Sequence, residues 1–262
     1  MLMGLMDPSV IPIDDRGFLL GDGLFETVLF KAGRPVLWEA HMARLTRGCL
    51  ALDLPLPDAG RLMAEARRAV ADRRLGNARA AVRLTWTAGS GGRGLGRPEP
   101  VTPRLVASAA ASPRPETPAA VVVSSIRRNA RSPSARLKSL NYLDNILARR
   151  EAEEAGGDEA LLLNTAGHVA CASAANLFWI TEGRLYTPSL SCGVLDGVVR
   201  AQVIAAAPVE EVRAGLDTVL KAEAAFLTNS LIGVRMIKVL AGRFLKPHPI
   251  IDQLSAGLAD LF

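Results

Sequence analysis

The chain has 262 residues, of which 49% are hydrophobic and 22% are charged, and its formal net charge is +5. This composition is typical of a folded globular protein with one large or two medium domains, and it argues against extensive disorder. The basic residues are scattered and not interleaved with aromatic side chains, so we expect no nucleic-acid partner, whereas a small anionic substrate suits the positive balance. No apolar run approaches the length of a membrane span, so we expect no membrane partner.

The three cysteines, Cys49, Cys171 and Cys192, are odd in number and widely spaced. Such spacing favours neither a disulfide framework nor a metal-ligand pair, so the sequence predicts no metal site and a cytoplasmic location. The apolar start of the chain lacks a basic segment and is interrupted by Asp7 and Pro8, which argues against a signal peptide.

The first third of the chain alternates strand-like and helix-like segments. Leu24–Phe30 is rich in β-branched and aromatic residues, and the turn at 31–35 predicts a β-hairpin with Val36–Trp38. Before it, Gly21 to Gly23 indicates a tight turn. The remaining periodicities predict helices over 38–52 and 58–73 and strands over 79–86 and 105–108.

A glycine-rich stretch at residues 87–94 joins two of these predicted strands. Arg93 within it offers a planar fork for a carboxylate or phosphate, and the glycines would let the backbone approach an anion. The stretch lacks the glycine and lysine spacing of a dinucleotide-binding or triphosphate-binding loop. A flexible hairpin connection is the alternative interpretation.

Residues 109–119 are rich in Ala, Ser and Pro and are predicted to link an N-terminal α/β domain, residues 1–108, to a C-terminal domain, residues 120–262. Beyond the linker, the patterns favour several short elements. These are a strand over 120–126, a helix over 141–155, four strands of a meandering sheet between 159 and 186, a helix over about 197–207 and a strand over 225–228.

Lys138 lies between Leu137 and small or apolar residues, directly before the helix predicted over 141–155. Burial would lower the pKa of this lysine and make its neutral amine available as a nucleophile or base. A solvated lysine near the start of a helix is the alternative that the local sequence leaves open.

Two later stretches suit a phosphate group. The glycine turn at Gly197 opens a helix, and the backbone N–H groups of Val198 and Val199 at its start would favour an anion. Packing of these two valines in the core does not compete with a backbone role. The polar turn Thr228 to Ser230 is equally suited to bond a phosphate.

The order of short motifs along the chain resembles that of the class IV aminotransferases. The motifs are Asp-Arg-Gly, Gly-Asp-Gly-x-Phe-Glu-Thr, His-x-x-Arg-Leu, Lys-x-x-Asn-Tyr-Leu, Asp-Glu-Ala-Leu, Ala-Asn-Leu-Phe-Trp, Tyr-Thr-Pro and Leu-x-Gly-Val-x-Arg, between residues 11 and 234. The resemblance implies a two-domain α/β (α+β) fold of type IV, with pyridoxal 5′-phosphate (PLP) in the interdomain cleft, and a homodimer. Residues 89–94 and 174–179 are most similar to the aminodeoxychorismate lyases of this family.

The resemblance also implies roles for individual residues. Lys138 corresponds to the Schiff-base lysine, and Tyr142 to a residue near the cofactor ring oxygen. The implied phosphate ligands are Arg44, Val198, Val199, Thr228, Asn229 and Ser230, and the implied substrate-binding residues are Arg93, Phe25 and Thr27.

Cys171 departs from the family pattern, because relatives carry a glutamate there that pairs with the pyridine nitrogen of PLP. A thiol buried in apolar surroundings would stay neutral and leave that nitrogen neutral as well. The enzyme would then either work with a less electrophilic cofactor or have lost or changed its activity. At Leu29, some relatives carry a basic residue, so the substrate carboxylate clamp is not defined by the motif.

The resemblance implies a PLP-dependent lyase that converts 4-amino-4-deoxychorismate to 4-aminobenzoate and pyruvate in folate biosynthesis. The first alternative is a PLP-dependent aminotransferase of branched-chain or D-amino acids. The second alternative belongs to another class of protein, one that binds PLP with little or no turnover because of Cys171.

Overall fold

The computed structural model describes residues 10–262, and the N-terminal segment considered above for a signal peptide lies outside them. Two compact units form within the described residues. The first contains residues 10–112 and 138–141, and the second contains residues 113–137 and 142–262. Both units combine helices with β-sheet, which confirms the predicted α/β class.

The elements of residues 10–262 have the following bounds. The helices are α1 (Arg16–Leu20), α2 (Trp38–Ala51), α3 (Ala59–Asp72), α4 (Leu143–Glu154), α5 (Val198–Ala206), α6 (Leu216–Leu220) and α7 (Pro249–Gly257). The strands are β1 (Gly23–Lys31), β2 (Arg34–Pro35), β3 (Arg79–Thr87), β4 (Arg104–Ala111), β5 (Ala119–Arg128), β6 (Glu159–Asn164), β7 (Val169–Ala172), β8 (Asn176–Thr181), β9 (Arg184–Pro188), β10 (Val209–Val212), β11 (Ala224–Asn229), β12 (Gly233–Leu240) and β13 (Arg243–Phe244). Short 3₁₀ helices cover Pro133–Arg136 and Leu190–Cys192.

The sheet of the first unit is antiparallel and has the strand order β2-β1-β3-β4. Helix α2 packs against β1, and α3 packs against β3 and β4. Side chains alternate between the two faces of a strand, so the even-numbered residues of β1, such as Glu26 and Val28, face α2. Asp58 accepts a hydrogen bond from the backbone of Arg61 and so fixes the start of α3.

A short segment around Lys138 extends this sheet at the edge of β1. The backbone N–H of Phe25 donates to the carbonyl of Lys138 at 2.8 Å, and the N–H of Leu140 donates to Gly23 at 3.0 Å. This antiparallel pairing places Lys138 beside Phe25 at the start of β1. The segment therefore belongs to the first unit, although the chain on both sides of it belongs to the second.

The second unit contains a nine-stranded mixed sheet whose main path is β10-β9-β8-β11-β12-β5-β6-β7, with β13 beside β12. The predicted meander is wrong, because β7 and β8 are consecutive in the chain but are not hydrogen-bonded neighbours. The hairpins β6–β7 and β8–β9 do form. Strands β11 and β12, which come late in the chain, lie between these hairpins. Pairing between segments so far apart in the chain cannot be predicted from the local pattern of apolar residues.

The core of the second unit lies against this sheet. The rings of Phe178 on β8 and Phe226 on β11 stack with centroids 4.9 Å apart. Helix α4 packs against β5 and β6, α5 against β11, and α7 against β12. None of the helices within residues 10–262 is long and apolar enough to cross a membrane.

Candidate active site

The amine of Lys138 lies over the ring of Phe25, with Nζ 4.1 Å from the ring centroid. Burial, together with the positive charges of Arg44 and Arg83, lowers the pKa of Lys138 to about 7, although the carboxylate of Glu26 opposes the shift. Part of the side chain is still accessible to solvent, but its amine is not surrounded by water. The desolvated lysine predicted from the sequence is therefore present, and the solvated alternative is wrong.

Beneath β1, a buried ionic cluster joins Glu26 to two residues of α2. Arg44 donates from Nε to Glu26 Oε1 at 2.8 Å and from Nη2 to Oε2 at 2.6 Å. Nδ1 of His41 lies 2.7 Å from the same Oε2. His41 and Arg44 can both reach Glu26 because a spacing of three residues places them on one face of the helix.

The charges in this cluster follow from its contacts. Burial alone would raise the pKa of Glu26, but the charge and hydrogen bonds of Arg44, joined by the bond from His41, lower it to about 2. Burial lowers the pKa of His41 despite the nearby carboxylate, so we assign a neutral ring that donates from Nδ1. Its Nε2 is buried and has no hydrogen-bond partner among residues 10–262.

Arg44 was predicted to bind a phosphate, and the structure shows what holds it in place. Two of its nitrogens bond to Glu26, and its charge acts on Lys138. Neither Glu26 nor His41 was predicted from the sequence as a site residue. A signal was present, because a glutamate at an inward position of a buried strand requires a cationic or hydrogen-bonding partner.

Phe25 and Thr27, predicted to bind substrate, lie on the opposite face of β1 from Glu26. Arg83 of β3, which the sequence analysis did not select, lies on this face too, because it pairs directly with Thr27. Its Cζ is 3.7 Å from the centroid of the Phe25 ring. The structure thus brings Lys138, Phe25 and Arg83 together.

The glycine-rich loop that carries Arg93 is tied to the rest of the first unit by two arginines. Arg16 is buried, bonds to Asp22 at 2.9 Å and donates to the loop carbonyls of Leu95 and Gly96 at 2.8 and 2.9 Å. Arg97 at the end of the loop bonds to Asp22 at 2.6 and 3.0 Å. Arg93 itself is exposed. These hydrogen bonds anchor the loop to the rest of the first unit, whereas a flexible connection would not need them.

We expect Asp22→Asn to loosen this loop, because it removes the charge that Arg16 and Arg97 share. Losing hydrogen bonds to a partly buried charged group costs about 1–3 kcal/mol. Limited proteolysis with trypsin, which cleaves after exposed arginines, should then cut faster after Arg93. Asp72→Asn, which removes a solvent-exposed pairing with Arg68 on α3, should leave that rate unchanged. Equal cleavage rates for the two variants would contradict the anchoring role of Asp22.

In the second unit, α5 begins at Val198 directly after Gly197. Its N-cap residue, Gly197, has no side chain to bond the N–H groups of the first turn, and N–H groups at such a helix start favour an anion. Gly197 is required here because a Cβ atom would collide with the side-chain amide of Asn176. The side chains of Val198 and Val199 are buried, as core packing demands, and the backbone role predicted for both is compatible with this burial.

The predicted phosphate turn lies at the end of β11, the strand against which α5 packs. Thr228 is fully buried, and its Oγ1 has no hydrogen-bond partner within residues 10–262. Asn229 uses its side chain within the turn, accepting from Leu231 and donating to Ala174. Thr228 therefore fits a ligand better than the Asn229 side chain does, and Ser230 stays a prediction.

Cys171 lies on β7, buried beside Cys192 and Val194. Burial raises the pKa of its thiol, and the nearby positive charge of Arg128 only partly opposes the shift. The thiol is neutral, as the sequence analysis predicted for this position. Tyr142 is the half-buried residue immediately before α4, and its contact with a cofactor ring stays a prediction.

A lysine with a desolvated amine and a lowered pKa, next to an arginine on a strand, is typical of a functional site. The model of the family described as amino-transferase class IV matches residues 23–240. The chain belongs to this family, which confirms the resemblance and the type IV fold inferred from the motifs.

Three relatives show what the chain is similar to. An aminodeoxychorismate lyase of Bacillus subtilis is 34% identical over 86% of this chain and 80% of the relative. The crystal structure of 4-amino-4-deoxychorismate lyase from Pseudomonas aeruginosa is 31% identical, covers 96% of this chain and 95% of that one, and gives a TM-score of 0.84. A D-alanine aminotransferase of Listeria monocytogenes is 27% identical over 90% of this chain and 84% of the relative.

Proposed function

We propose that the protein is a PLP-dependent lyase that converts 4-amino-4-deoxychorismate to 4-aminobenzoate and pyruvate, a step of folate biosynthesis. The observation that carries the proposal is the buried amine of Lys138, with its pKa lowered to about 7, beside a face that holds an arginine. Relatives named as lyases of this substrate cover most of the chain, which supports this choice over an aminotransferase.

The residues of each unit fit PLP. In the first unit, Lys138 would hold the aldehyde end and Arg44, fixed by Glu26, would offer positive charge to the phosphate. In the second unit, the start of α5 and the buried, unpartnered hydroxyl of Thr228 would hold phosphate oxygens. When bound, PLP supplies a ring that stabilises negative charge on the substrate carbon next to the amine.

The chain itself supplies proton transfer and positioning. Nζ of Lys138 can take up or release a proton near neutral pH, because its pKa lies close to 7. The Phe25 ring covers this amine and limits its access to water. The bonds among Glu26, Arg44 and His41 hold in place two charged groups that act on Nζ, the Arg44 guanidinium and the Glu26 carboxylate.

One assay separates the three candidate functions. Purified protein with PLP is incubated with 4-amino-4-deoxychorismate, and separately with D-alanine or a branched-chain amino acid plus a keto acid. Formation of 4-aminobenzoate supports the lyase. Formation of keto acid from the amino donor without 4-aminobenzoate overturns the lyase in favour of an aminotransferase, the function named for the Listeria relative.

Cys171 favours a second candidate, a protein that binds PLP with little or no turnover. Its buried, neutral thiol brings no negative charge to the place where the family pattern has a carboxylate. Bound PLP with neither product formed in the assay would establish this candidate and overturn the lyase.

We also propose that the protein acts as a homodimer in the cytoplasm on a small anionic amino substrate. The family resemblance supports the dimer, and the three cysteines, all free and buried, suit a reducing compartment. Sedimentation analysis at micromolar concentration, with a mass twice that of the 27.8 kDa chain expected, tests the dimer. A monomer mass would overturn it.

We expect PLP attachment to the apoprotein to follow the titration of Lys138. The charged groups around its amine are Arg44, Arg83, Glu26 and, when protonated, His41. The rate is measured by adding PLP and trapping the attached form with borohydride. Because the folded-state pKa is about 7, this rate should be independent of pH above 7 and about tenfold lower at one pH unit below 7.

A variant provides the control for this titration. Arg83→Gln removes a charge that lowers the pKa of Lys138, so the midpoint of the rate profile should move to higher pH. A wild-type midpoint near the ordinary lysine pKa of about 10.4 would contradict the desolvated site.

A further inference from the structure

We infer that Arg83 is the residue that binds a carboxylate of the substrate next to Lys138, and so determines specificity for anionic substrates. The substrate class rests on the proposed function, whereas the anion site rests on the geometry of the first unit. Neither the motifs nor the sequence spacing singled out this residue.

The ring of Phe25 links the two cationic groups. Nζ of Lys138 lies 4.1 Å from its centroid and Cζ of Arg83 lies 3.7 Å from it. The two groups are therefore less than about 8 Å apart, the sum of these two distances. A six-membered ring that carries an amine and a carboxylate at opposite positions can span such a gap, with its amine toward Lys138 and its carboxylate toward Arg83.

The register of the sheet shows which side chains surround Arg83. Thr27 of β1 and Ser108 of β4 are its direct cross-strand partners, and its Nε donates to Thr85 at 3.3 Å. Directly paired residues share a face of an antiparallel sheet, so these hydroxyl groups border the guanidinium on the face that carries Phe25. Hydroxyls can donate to the same carboxylate that the guanidinium binds.

This face carries more positive than negative charge. The charged side chains that β1, β3 and β4 place there are all basic: Lys31, Arg79, Arg83 and Arg104. Of the carboxylates near them, the buried Asp15 pairs with Arg104 at 3.2 Å, whereas the buried Glu26 points to the opposite face and is neutralised by Arg44. A substrate with carboxylate groups is therefore attracted to this face, and Arg83 is the cation there that contacts Phe25.

Arg83 differs from Arg93 in how it is held. Arg93 lies in a loop, whereas Arg83 lies in the middle of β3, with hydrogen-bonded strands on both sides. A cation on a strand is preorganised and loses little conformational entropy when it binds an anion. A guanidinium also binds a carboxylate through two parallel hydrogen bonds. We therefore assign the ring carboxylate opposite the substrate amine to Arg83 and leave the second carboxylate of the dianion to Arg93.

The test compares Arg83→Gln and Arg83→Lys with Arg67→Gln, which removes the same charge from an exposed position on α3. With 4-amino-4-deoxychorismate, we expect Arg83→Gln to raise KM by about tenfold to a hundredfold and to change kcat much less. Arg83→Lys should recover part of the loss, and Arg67→Gln should match the wild type. An unchanged KM in Arg83→Gln would overturn the assignment.

A binding measurement keeps this test independent of turnover. PLP-loaded protein is titrated with 4-aminobenzoate and with aniline, which lacks the carboxylate. We expect the wild type to bind 4-aminobenzoate more tightly than aniline. Arg83→Gln should abolish this preference and leave the affinity for aniline unchanged. Equal preference in both proteins would overturn the role of Arg83. If the wild type makes no 4-aminobenzoate but Arg83→Gln still abolishes the preference, the lyase function falls and the anion site stands.

Discussion

Replacement of Lys138 by methionine is expected to abolish catalysis. Methionine nearly matches the length of lysine and suits the contact with Phe25, but it has no amine to accept or donate a proton. Loss of a residue that acts in both covalent attachment and proton transfer should lower kcat by ~10³-fold or more. The measurements are the rate of 4-aminobenzoate formation and the visible absorption of the PLP-loaded protein, which should both disappear.

The stability of Lys138→Met separates lost chemistry from misfolding. The folded-state pKa of Lys138 is about 7, below the unfolded value, so below pH 7 both states bind the proton and the native state bears the full cost of a buried charge. That cost declines as pH rises from 7 toward the unfolded pKa. The variant should therefore be at least as stable as the wild type, most clearly at pH 6 to 7. Lys246→Met, at an exposed position, serves as the matched control and should retain activity. Full activity of Lys138→Met would contradict the site.

Most helices and strands could be predicted because apolar periodicity and turn residues are properties of short stretches of sequence. Helices α2 and α3 begin and end within a residue or two of their expected bounds, since apolar periodicity and the capping residue Asp58 define them. Strand β4 runs to Ala111, three residues into the stretch of small residues predicted as a linker. Alanines there pair with β3, and composition alone could not reveal that pairing.

The order of strands in the second sheet depends on contacts between distant segments, so local patterns could not supply it. Strands β11 and β12 occupy central positions although they come last among the long strands. The segment that carries Lys138 is a similar case. It pairs with β1, more than a hundred residues earlier in the chain, and that pairing brings its amine to Phe25 and Arg83.

The site residues that were predicted from the sequence stand in motifs, although Glu26 and His41 were missed in spite of their motifs, and Arg83 is placed at the site only by the register of the sheet. Lys138, Arg44 and Phe25 stand in motifs, and the structure places all three near one amine. Arg83 stands in no motif, and only its pairing with Thr27 places it on the site's face. Cys171 is recognisable as a departure from the family pattern, but its neutral state follows from burial, which the structure had to show.

The second large effect is expected from Glu26→Gln, which removes the only negative charge in the buried cluster with Arg44 and His41. Breaking a buried ion pair by removing one partner leaves an uncompensated charge and costs about 3–5 kcal/mol. Thermal unfolding at pH 7 should show a Tm lower by on the order of 10 °C. Glu65→Gln, which removes an exposed pairing with Arg68 on α3, should cost less than about 1 kcal/mol.

The pH dependence of this effect and a double variant identify its cause. The folded-state pKa of Glu26 is about 2, below its unfolded value of about 4.3, so its contribution is complete above the unfolded pKa and is lost as pH falls toward 2. The gap in stability between wild type and Glu26→Gln should therefore shrink in acid. Adding Arg44→Met to Glu26→Gln removes the stranded charge and should recover part of the lost stability. If Glu26→Gln is as stable as Glu65→Gln at pH 7, the cluster does not support α2 against β1, and the field at Lys138 must be set by other groups.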